Sequence, residues 1–336
     1  MLPSVIQFLV AAVVIVLAGV ALTQFGDVIA HRTKLGGLLV GSLLIAGATS
    51  LPELAIDISA VRMGSADLAV GDLVGSSLFN LMILAILDLT RYSQGRMLST
   101  AAAAHALAAC TSIALTTIAA LCILLAPKIG EVSFARMSPG SFVLLTAYAL
   151  GIRLVFYGLR TAGETQEGEA DAVASWATKW GLKGAIAGYV IAAAVILAAA
   201  PFLARAADDL AERSGLGGTF FGTTFVALCT SLPEIVTTLS AVRMKAFDLA
   251  LGNILGSNCF NMLILVPLDI VQGGSLFSAV SSTHIYTAMC VILVTSVVIL
   301  GQLYRVEKKK PFLEPDALLA LFLIFLALGG LYFVRE

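Results

Sequence analysis

Long runs of apolar residues alternate with short polar stretches along this chain. A helix needs about 20 apolar residues to cross the hydrocarbon core of a bilayer. Gly, Pro and polar residues interrupt the second, third, seventh and eighth runs, so these four helices are predicted to be broken. The pattern predicts an all-α integral membrane protein with ten transmembrane helices, at residues 4–25, 36–62, 67–89, 100–126, 138–159, 182–204, 216–242, 248–270, 280–303 and 313–334.

The composition favours lipid as the main solvent of the chain. Hydrophobic residues make up 59 % of the 336 residues and charged residues 12 %, whereas soluble domains carry about 25 % charged residues. The net charge is −1, and no basic patch with interleaved aromatic residues is present, which argues against a nucleic-acid partner. We expect membrane lipid as a partner, and neither a cofactor nor an obligate protein partner is evident.

A polar segment at residues 160–181 separates two stretches of five predicted helices, 1–159 and 182–336. The segment is too short to fold as a domain and is interpreted as a linker. With Arg153 left out, six Lys and Arg residues fall on the side of the N-terminus and thirteen on the other side. Because cytoplasmic loops carry the excess of Lys and Arg, we expect the linker in the cytoplasm and both termini outside the cell membrane.

An internal repeat is the strongest signal in the sequence. Residues 49–89 and 230–270 align without gaps at an offset of 181, and 22 of 41 positions are identical. Polar residues are among the matches, including Glu53 with Glu234. Because each half holds an odd number of predicted helices, the second half enters the membrane from the opposite side and the repeats are inverted. Broken helices at corresponding positions of inverted repeats are typical of the substrate site of a secondary transporter.

Each repeat begins with the motif Thr-Ser-Leu-Pro-Glu, at residues 49–53 and 230–234. Proline lacks an N–H group, so it frees upstream carbonyls that need a partner in lipid. A carboxylate at the bilayer centre costs about 3 kcal/mol, and no basic residue lies at the same depth beside either Glu. A bound cation would satisfy both needs. The candidate ligands are the carboxylates of Glu53 and Glu234 and the carbonyls of Ala46, Thr49, Ala227 and Thr230.

The second duplicated motif is Gly-Ser-x-x-Phe-Asn, at residues 75–80 and 256–261. Its Ser and Asn are four residues apart and share a helix face, and its Gly allows close backbone approach. The two motifs together supply only oxygen ligands, which suit a hard cation. His31, His105 and His284 are scattered and unpaired in the sequence, so zinc and copper fit poorly. Two carboxylates match one divalent ion or two monovalent ions, and calcium tolerates irregular coordination better than magnesium.

Two further pairs of aspartates are duplicated. Asp67 and Asp248 are predicted at helix starts, where a carboxylate interacts favourably with the helix dipole. Asp88 and Asp269 are predicted near helix ends, where one hypothesis places them along an access path.

The duplicated TSLPE and GSxxFN blocks resemble the alpha repeats of the calcium:cation antiporter superfamily, especially its prokaryotic sodium/calcium exchanger branch. The resemblance covers both repeats and the whole ten-helix layout. It implies an electrogenic antiporter in which sodium and calcium compete for sites between the second, third, seventh and eighth helices. It also implies that the first and sixth helices slide across the rest to alternate access.

By position, the resemblance implies roles for single residues. Glu53 and Glu234 resemble the carboxylates that calcium and sodium share. Thr49 and Thr230 resemble the residues that offer backbone carbonyls to calcium. The residues that resemble the lining of flanking sodium sites are Ala46, Ser50, Ser76, Ala227, Ser231 and Ser257.

Asn80 and Asn261 resemble the polar pair that closes the central cavity. Family members often carry an Asp opposite an Asn there, whereas both residues are Asn in this chain. The usual Gly before Thr-Ser is Ala48 in the first repeat and Cys229 in the second, and the common Gly-Asn pair ends in Asp72 in the first. Because of these departures, the resemblance does not determine whether sodium or protons drive the exchange.

The leading hypothesis is therefore an antiporter that exchanges calcium for sodium. A proton-driven exchanger of calcium or another divalent cation on the same fold is the alternative. A cation channel could also use a pair of Glu residues, but inverted repeats with broken helices fit alternating access better. An intramembrane enzyme needs a nucleophile with a base, and the Ser and Glu residues here have no His partner in the motifs. The protein is not expected to be an enzyme.

Overall fold

The computed structural model describes residues 2–89, 102–129, 134, 136–163, 179–213, 230–303 and 315–334. Within these ranges the regular elements are helices, and Phe134 and Met137 form an isolated bridge. The predicted all-α class is confirmed.

The helices follow one another with short connections. In chain order they are α1 (Leu2–Thr33), α2 (Gly37–Leu39), a π-helical turn (Val40–Ile45), α3 (Ala46–Thr49), α4 (Leu51–Arg62), α5 (Ala66–Asp88), α6 (Ala102–Ile129), α7 (Pro139–Gly163), α8 (Leu182–Arg213), α9 (Leu232–Arg243), α10 (Phe247–Gln272), α11 (Leu276–Ala279), α12 (Thr283–Leu303) and α13 (Pro315–Val334).

Seven of the described helices are long and apolar enough to cross a membrane, namely α1, α5, α6, α7, α8, α10 and α12. The bent series from α2 to α4 makes an eighth span if it is counted as one. Helix α13 is apolar but shorter. The seventh predicted span begins within residues 214–229, outside the described residues, and ends as α9. The chain is therefore a multi-pass membrane protein, and the count of ten spans stays a prediction.

The second span is broken, as predicted. The segments Gly37–Thr49 and Leu51–Arg62 meet at Ser50 with a bend of 41°. Pro52 lies in the first turn of α4, where its missing N–H leaves the hydrogen-bond ladder interrupted. Helix α9 likewise begins with a proline, Pro233, although the residues before Thr230 lie outside the described part of the chain.

The prediction of broken third and eighth helices is wrong. Helices α5 and α10 are continuous over 23 and 26 residues. In α10 the glycines permit close packing instead of a break. A Cβ added at Gly252 would lie 2.5 Å from the Leu38 carbonyl oxygen, and one added at Gly256 would lie 2.4 Å from the Cα of Ser42. Small residues of this kind let helices in a membrane approach each other closely.

Helices α5 and α10 form the centre of the molecule. About two thirds of each apolar span is buried, 67 % for α5 and 72 % for α10, against 28 % for α1 and 22 % for α8. Helix α10 packs on α6 and α7, which come from the first half, and α5 packs on α12 and α13, which come from the second. The two halves are therefore interleaved.

Helices α1 and α8 pack along each other in opposite directions at the periphery. The Nε2 of Gln7 donates a hydrogen bond to the Phe202 carbonyl at 3.2 Å, and at the other end the rings of Phe25 and Trp180 meet edge to face, 6.1 Å apart. Tyr189 of α8 donates a hydrogen bond to the carbonyl of Leu44 in the π-helical turn. This pair of helices is thereby tied to the broken span.

Candidate cation site

The two TSLPE motifs each place a Glu at the start of a buried helix. Glu53 lies in the first turn of α4 and Glu234 in the first turn of α9, where the helix dipole favours a negative charge. Their side chains are 1 % and 2 % exposed. Because the start of each helix is buried, both carboxyl groups lie in the interior of the protein.

Contacts across the two halves bring the motifs together. The Thr49 side chain lies within hydrogen-bond reach of the Glu234 carboxyl group. The hydroxyl oxygens of Ser76 and Ser231 are 3.4 Å apart. The carboxyl groups of Glu53 and Glu234 are close enough for their charges to interact. Residues that the repeat predicted to act together therefore share one region.

The asparagines form a hydrogen-bonded layer between α5 and α10. Asn80 donates from Nδ2 to Oδ1 of Asn258 at 3.0 Å, and Asn258 donates to the carbonyl of Ser77 at 3.3 Å. Asn261 donates to the Ser77 hydroxyl at 3.1 Å and to the Leu73 carbonyl at 3.2 Å. Asn80 and Asn261 are thus linked through Ser77 and Asn258. The sequence comparison missed both linking residues because they differ between the repeats.

Five buried side-chain oxygens of the two motifs have no hydrogen-bond partner among the described residues. They are Ser50 Oγ, Glu53 Oε2, Asn80 Oδ1, Glu234 Oε2 and Ser257 Oγ. Leaving a buried polar atom unsatisfied costs about 1–3 kcal/mol, and more for a charged one. All five are oxygens, which are the ligands that a hard cation prefers. In the part of the chain that the structure describes, no three His, Cys, Asp or Glu residues gather as a metal cluster, so neutral oxygens would have to complete the coordination.

The backbone of the first motif differs from its prediction at Ala46. Its carbonyl accepts hydrogen bonds from the Ser50 N–H at 3.0 Å and from the Thr49 hydroxyl at 3.2 Å. The helix continues as far as Thr49, so the missing N–H of Pro52 does not free this carbonyl. Ala46 itself is fully buried. Ala227, its predicted counterpart, lies outside the described residues.

The remaining predicted ligands are also buried. Thr49 and Thr230 are 0 % and 2 % exposed. The same holds for the serines and asparagines of both motifs, with at most 2 % exposure for Ser50, Ser76, Asn80, Ser231, Ser257 and Asn261.

The histidines are not unpaired, which corrects the sequence interpretation. His284 Nε2 lies 2.9 Å from Asp67 Oδ1, and His105 Nε2 lies 3.1 Å from Asp248 Oδ1. Both aspartates occupy first turns, of α5 and α10, as predicted. Each pair joins one half of the chain to the other. His31 lies 3.6 Å from an aspartate on its own helix. The contacts were missed because the partners are distant in sequence.

Asp269 is buried and held by three hydrogen bonds. Its Oδ2 accepts hydrogen bonds from the Ser138 N–H and the Ser141 hydroxyl, both at 2.6 Å, and its Oδ1 accepts one from the Leu276 N–H at 2.8 Å. The carboxylate thus anchors the start of α7 and of α11. Asp88, its counterpart, is also buried, with 1 % exposure, and the access-path hypothesis stays a prediction.

Comparison with known proteins identifies relatives. The family model described as sodium/calcium exchanger protein matches residues 3–157 and 184–329. The putative antiporter CaxA of Alkalimonas amylolytica is 26 % identical over 329 residues, covering 92 % of this chain and 94 % of the relative. The sodium/calcium exchanger MaX1 of Methanosarcina acetivorans is 40 % identical over 80 residues, 24 % of this chain and 23 % of that protein.

Solved structures of the sodium-calcium exchanger NCX_Mj share the fold. One determined with sodium and strontium ions superposes with a TM-score of 0.68 at 19 % identity, covering 97 % of each chain. Another, soaked without sodium and calcium, gives a TM-score of 0.67 at 19 % identity, covering 97 % of this chain and 98 % of that one.

Proposed function

This chain belongs to the sodium/calcium exchanger protein family, and on that premise we propose that it is a secondary antiporter that exchanges calcium for sodium across the membrane. The observation that carries the proposal is the set of five unpartnered, buried oxygens that both halves contribute around Glu53 and Glu234. A desolvated cation would satisfy these oxygens and balance the two carboxylates. Exchange of this kind needs no catalytic group or cofactor.

Glu53 and Glu234 would supply the charge of the site. Two carboxylates balance one Ca²⁺ or two Na⁺, so either cargo neutralises Glu53 and Glu234, and the two ions compete for the same charges. The other proposed ligands are neutral oxygens from the side chains or backbone of Thr49, Ser50, Ser76, Asn80, Thr230, Ser231, Ser257 and Asn261. Ala46 and Ala227 complete the proposed lining.

We propose ten transmembrane helices arranged as two inverted repeats, 1–159 and 182–336. The exchange of packing partners supports this arrangement, because α10 meets the fourth and fifth spans of the first half while α5 meets those of the second. Likewise α1 packs on α9 and α8 packs on α4. In alternating access, α1 and α8 would move together across the central helices, and the Tyr189 contact would pass that motion to the broken span.

The expected placement is the cell membrane, with both termini outside and residues 160–181 as a cytoplasmic linker. The count of Lys and Arg supports this orientation. Cysteines placed one at a time in an otherwise cysteine-free chain would test it. A label that cannot cross the membrane should react near the termini from outside only.

The test of function is calcium uptake into proteoliposomes that contain the purified protein. An outward sodium gradient should drive radioactive calcium inward, and vesicles loaded with potassium should show none. Uptake that needs a pH gradient and ignores sodium would identify the proton as the driving ion. If neither gradient moves calcium, calcium is not the cargo, and magnesium and manganese are the next ions to test.

A further inference from the structure

Two aspartates lie outside the duplicated motifs in the hairpin of α4 and α5, which we call the first-half hairpin. Asp57 is on α4, one turn beyond Glu53, and Asp72 is on α5, one turn before Ser76. Asp57 is 1 % exposed. The Oδ2 atoms of both aspartates are buried, and neither has a hydrogen-bond partner among the described residues. Both are therefore buried carboxyl groups that the proposed central site does not use.

The second half shows what the same two positions do with neutral side chains. Thr238 stands in place of Asp57 and Asn253 in place of Asp72, at the offset of 181. Asn253 donates from Nδ2 to the hydroxyl of Thr237 at 2.8 Å and to that of Thr238 at 2.9 Å. The hairpin thus brings these positions within contact distance. In α9 and α10 the two side chains hydrogen-bond to each other, and Asn253 Oδ1 has no partner among the described residues.

The first-half hairpin brings two carboxyl groups together at that place. The charges of Asp57 and Asp72 interact with each other, and both interact with Glu53. Neither aspartate forms an ion pair with a basic residue in the described part of the chain. Two carboxylates that are buried side by side without a counter-charge are strongly unfavourable, so this pair must either take up protons or bind a cation from outside the chain.

We propose that Asp57 and Asp72 form a second binding site for a hard divalent cation. The site lies between the central site and the Met63–Ser65 turn that joins α4 to α5. The two carboxylates balance the charge of one such ion, and water would complete its coordination. Asp72 is partly exposed as a residue, although its Oδ2 atom is buried. This inference takes the class of cation from the proposed function, but it does not require that the protein transport that cation.

The site would make the two sides of the transporter unequal. A cation that enters past the Met63–Ser65 turn meets two carboxylates before it reaches Glu53. A cation that enters from the other side, past the turn between α9 and α10, meets Thr238 and Asn253 instead. Acidic residues along an entry path raise the local concentration of cations. The carboxylates would therefore act as a staging site on one membrane face only.

The experiment is equilibrium binding of radioactive calcium to the purified protein in detergent, with four chains compared. They are the wild type, the Glu53→Gln/Glu234→Gln variant, the Asp57→Thr/Asp72→Asn variant and the combination of all four substitutions. The second pair installs the residues that the other half carries at the same positions, so the fold accommodates them. We expect each pair of substitutions to remove one bound ion per chain, and the combination to remove both.

Two results would overturn the inference. One is an Asp57→Thr/Asp72→Asn variant that binds as many calcium ions as the wild type with the same affinity. The other is a Glu53→Gln/Glu234→Gln variant that binds no calcium at all. The isosteric Asp57→Asn/Asp72→Asn variant is the control for misfolding. It should elute as a single species on gel filtration and still lack the second bound ion. Binding at the aspartates in a protein that fails to transport calcium would sink the proposed function and leave this site standing.

Discussion

The hairpin of α4 and α5 and the hairpin of α9 and α10 share one sequence pattern but differ in a consistent way. Several buried polar positions near the contact of the two halves are identical, among them Glu53 with Glu234 and Ser76 with Ser257, whereas Ser77 and Asn258, which also meet across the halves, differ. The positions that face only their own hairpin differ, as Asp57 and Thr238 do. The proposed cation site draws on the duplicated residues, and the divergence at Asp57 and Asp72 makes the two hairpins chemically different.

The largest expected effect follows from the shared carboxylates. Glu53→Gln and Glu234→Gln each remove one charge from a buried site that a divalent ion must balance. Breaking a buried pair of charges costs about 3–5 kcal/mol, which corresponds to a loss of about two to four orders of magnitude in calcium affinity. Calcium uptake by proteoliposomes should fall to background in both variants.

A matched control is Asp67→Asn, which removes a carboxylate that is 58 % exposed and outside the site. Its uptake should stay close to that of the wild type. If either Glu variant folds and transports nearly as well as the wild type, the two hairpins do not share a site.

The next largest expected effect comes from a difference in packing between the two hairpins. Gly71 and Gly252 occupy equivalent positions, but a Cβ at Gly252 would lie 2.5 Å from a backbone oxygen. At Gly71 the nearest described atom is the Cε1 of His284, a side-chain atom, at 3.2 Å. Gly252→Ala should destabilise the protein by about 1–3 kcal/mol, and Gly71→Ala clearly less. Thermal unfolding in detergent measures both, and equal losses would refute the claimed asymmetry in packing.

Substitutions in the hydrogen-bonded asparagine layer between α5 and α10 should have a smaller effect. Asn258→Ser removes the acceptor of the Asn80 amide, which leaves a buried donor unsatisfied at a cost of about 1–3 kcal/mol. We expect the apparent affinity for calcium to fall about tenfold. The double exchange with Ser77→Asn moves the amide to the other hairpin and should recover part of the loss. Wild-type affinity in Asn258→Ser alone would mean that the layer does not hold Asn80 in place.

The smallest effect belongs to the two His–Asp pairs that join the halves. Their aspartates are 43 % and 58 % exposed, so solvent screens each contact, and such pairs contribute about 0–1 kcal/mol. His284→Gln should therefore lower stability only slightly. His105→Gln should cost more, because His105 is fully buried. Transport rates should change little in either variant, and a large loss of transport would assign these pairs a role beyond packing.

The helical membrane fold and the convergence of the duplicated polar residues could both be predicted from the sequence. Polar groups are costly in lipid and therefore rare in membrane helices, so each buried polar residue indicates a specific contact or function. Sequence patterns did not predict the features that depend on packing between distant segments. Glycines that suggested breaks in α5 and α10 lie in continuous helices, where Gly252 and Gly256 allow another backbone to approach. The roles of Asn258 and of the histidines depended on contacts that no local pattern contains.

We propose that one site, built from both hairpins, carries calcium and sodium in turn. The most direct test measures the entry of radioactive calcium and the exit of radioactive sodium in the same proteoliposomes. A site shared by both ions requires a fixed ratio between the two fluxes over a range of gradients, and both fluxes should be lost together in Glu53→Gln. Calcium entry that continues without any counter-ion, or a ratio that drifts with the gradients, would contradict it.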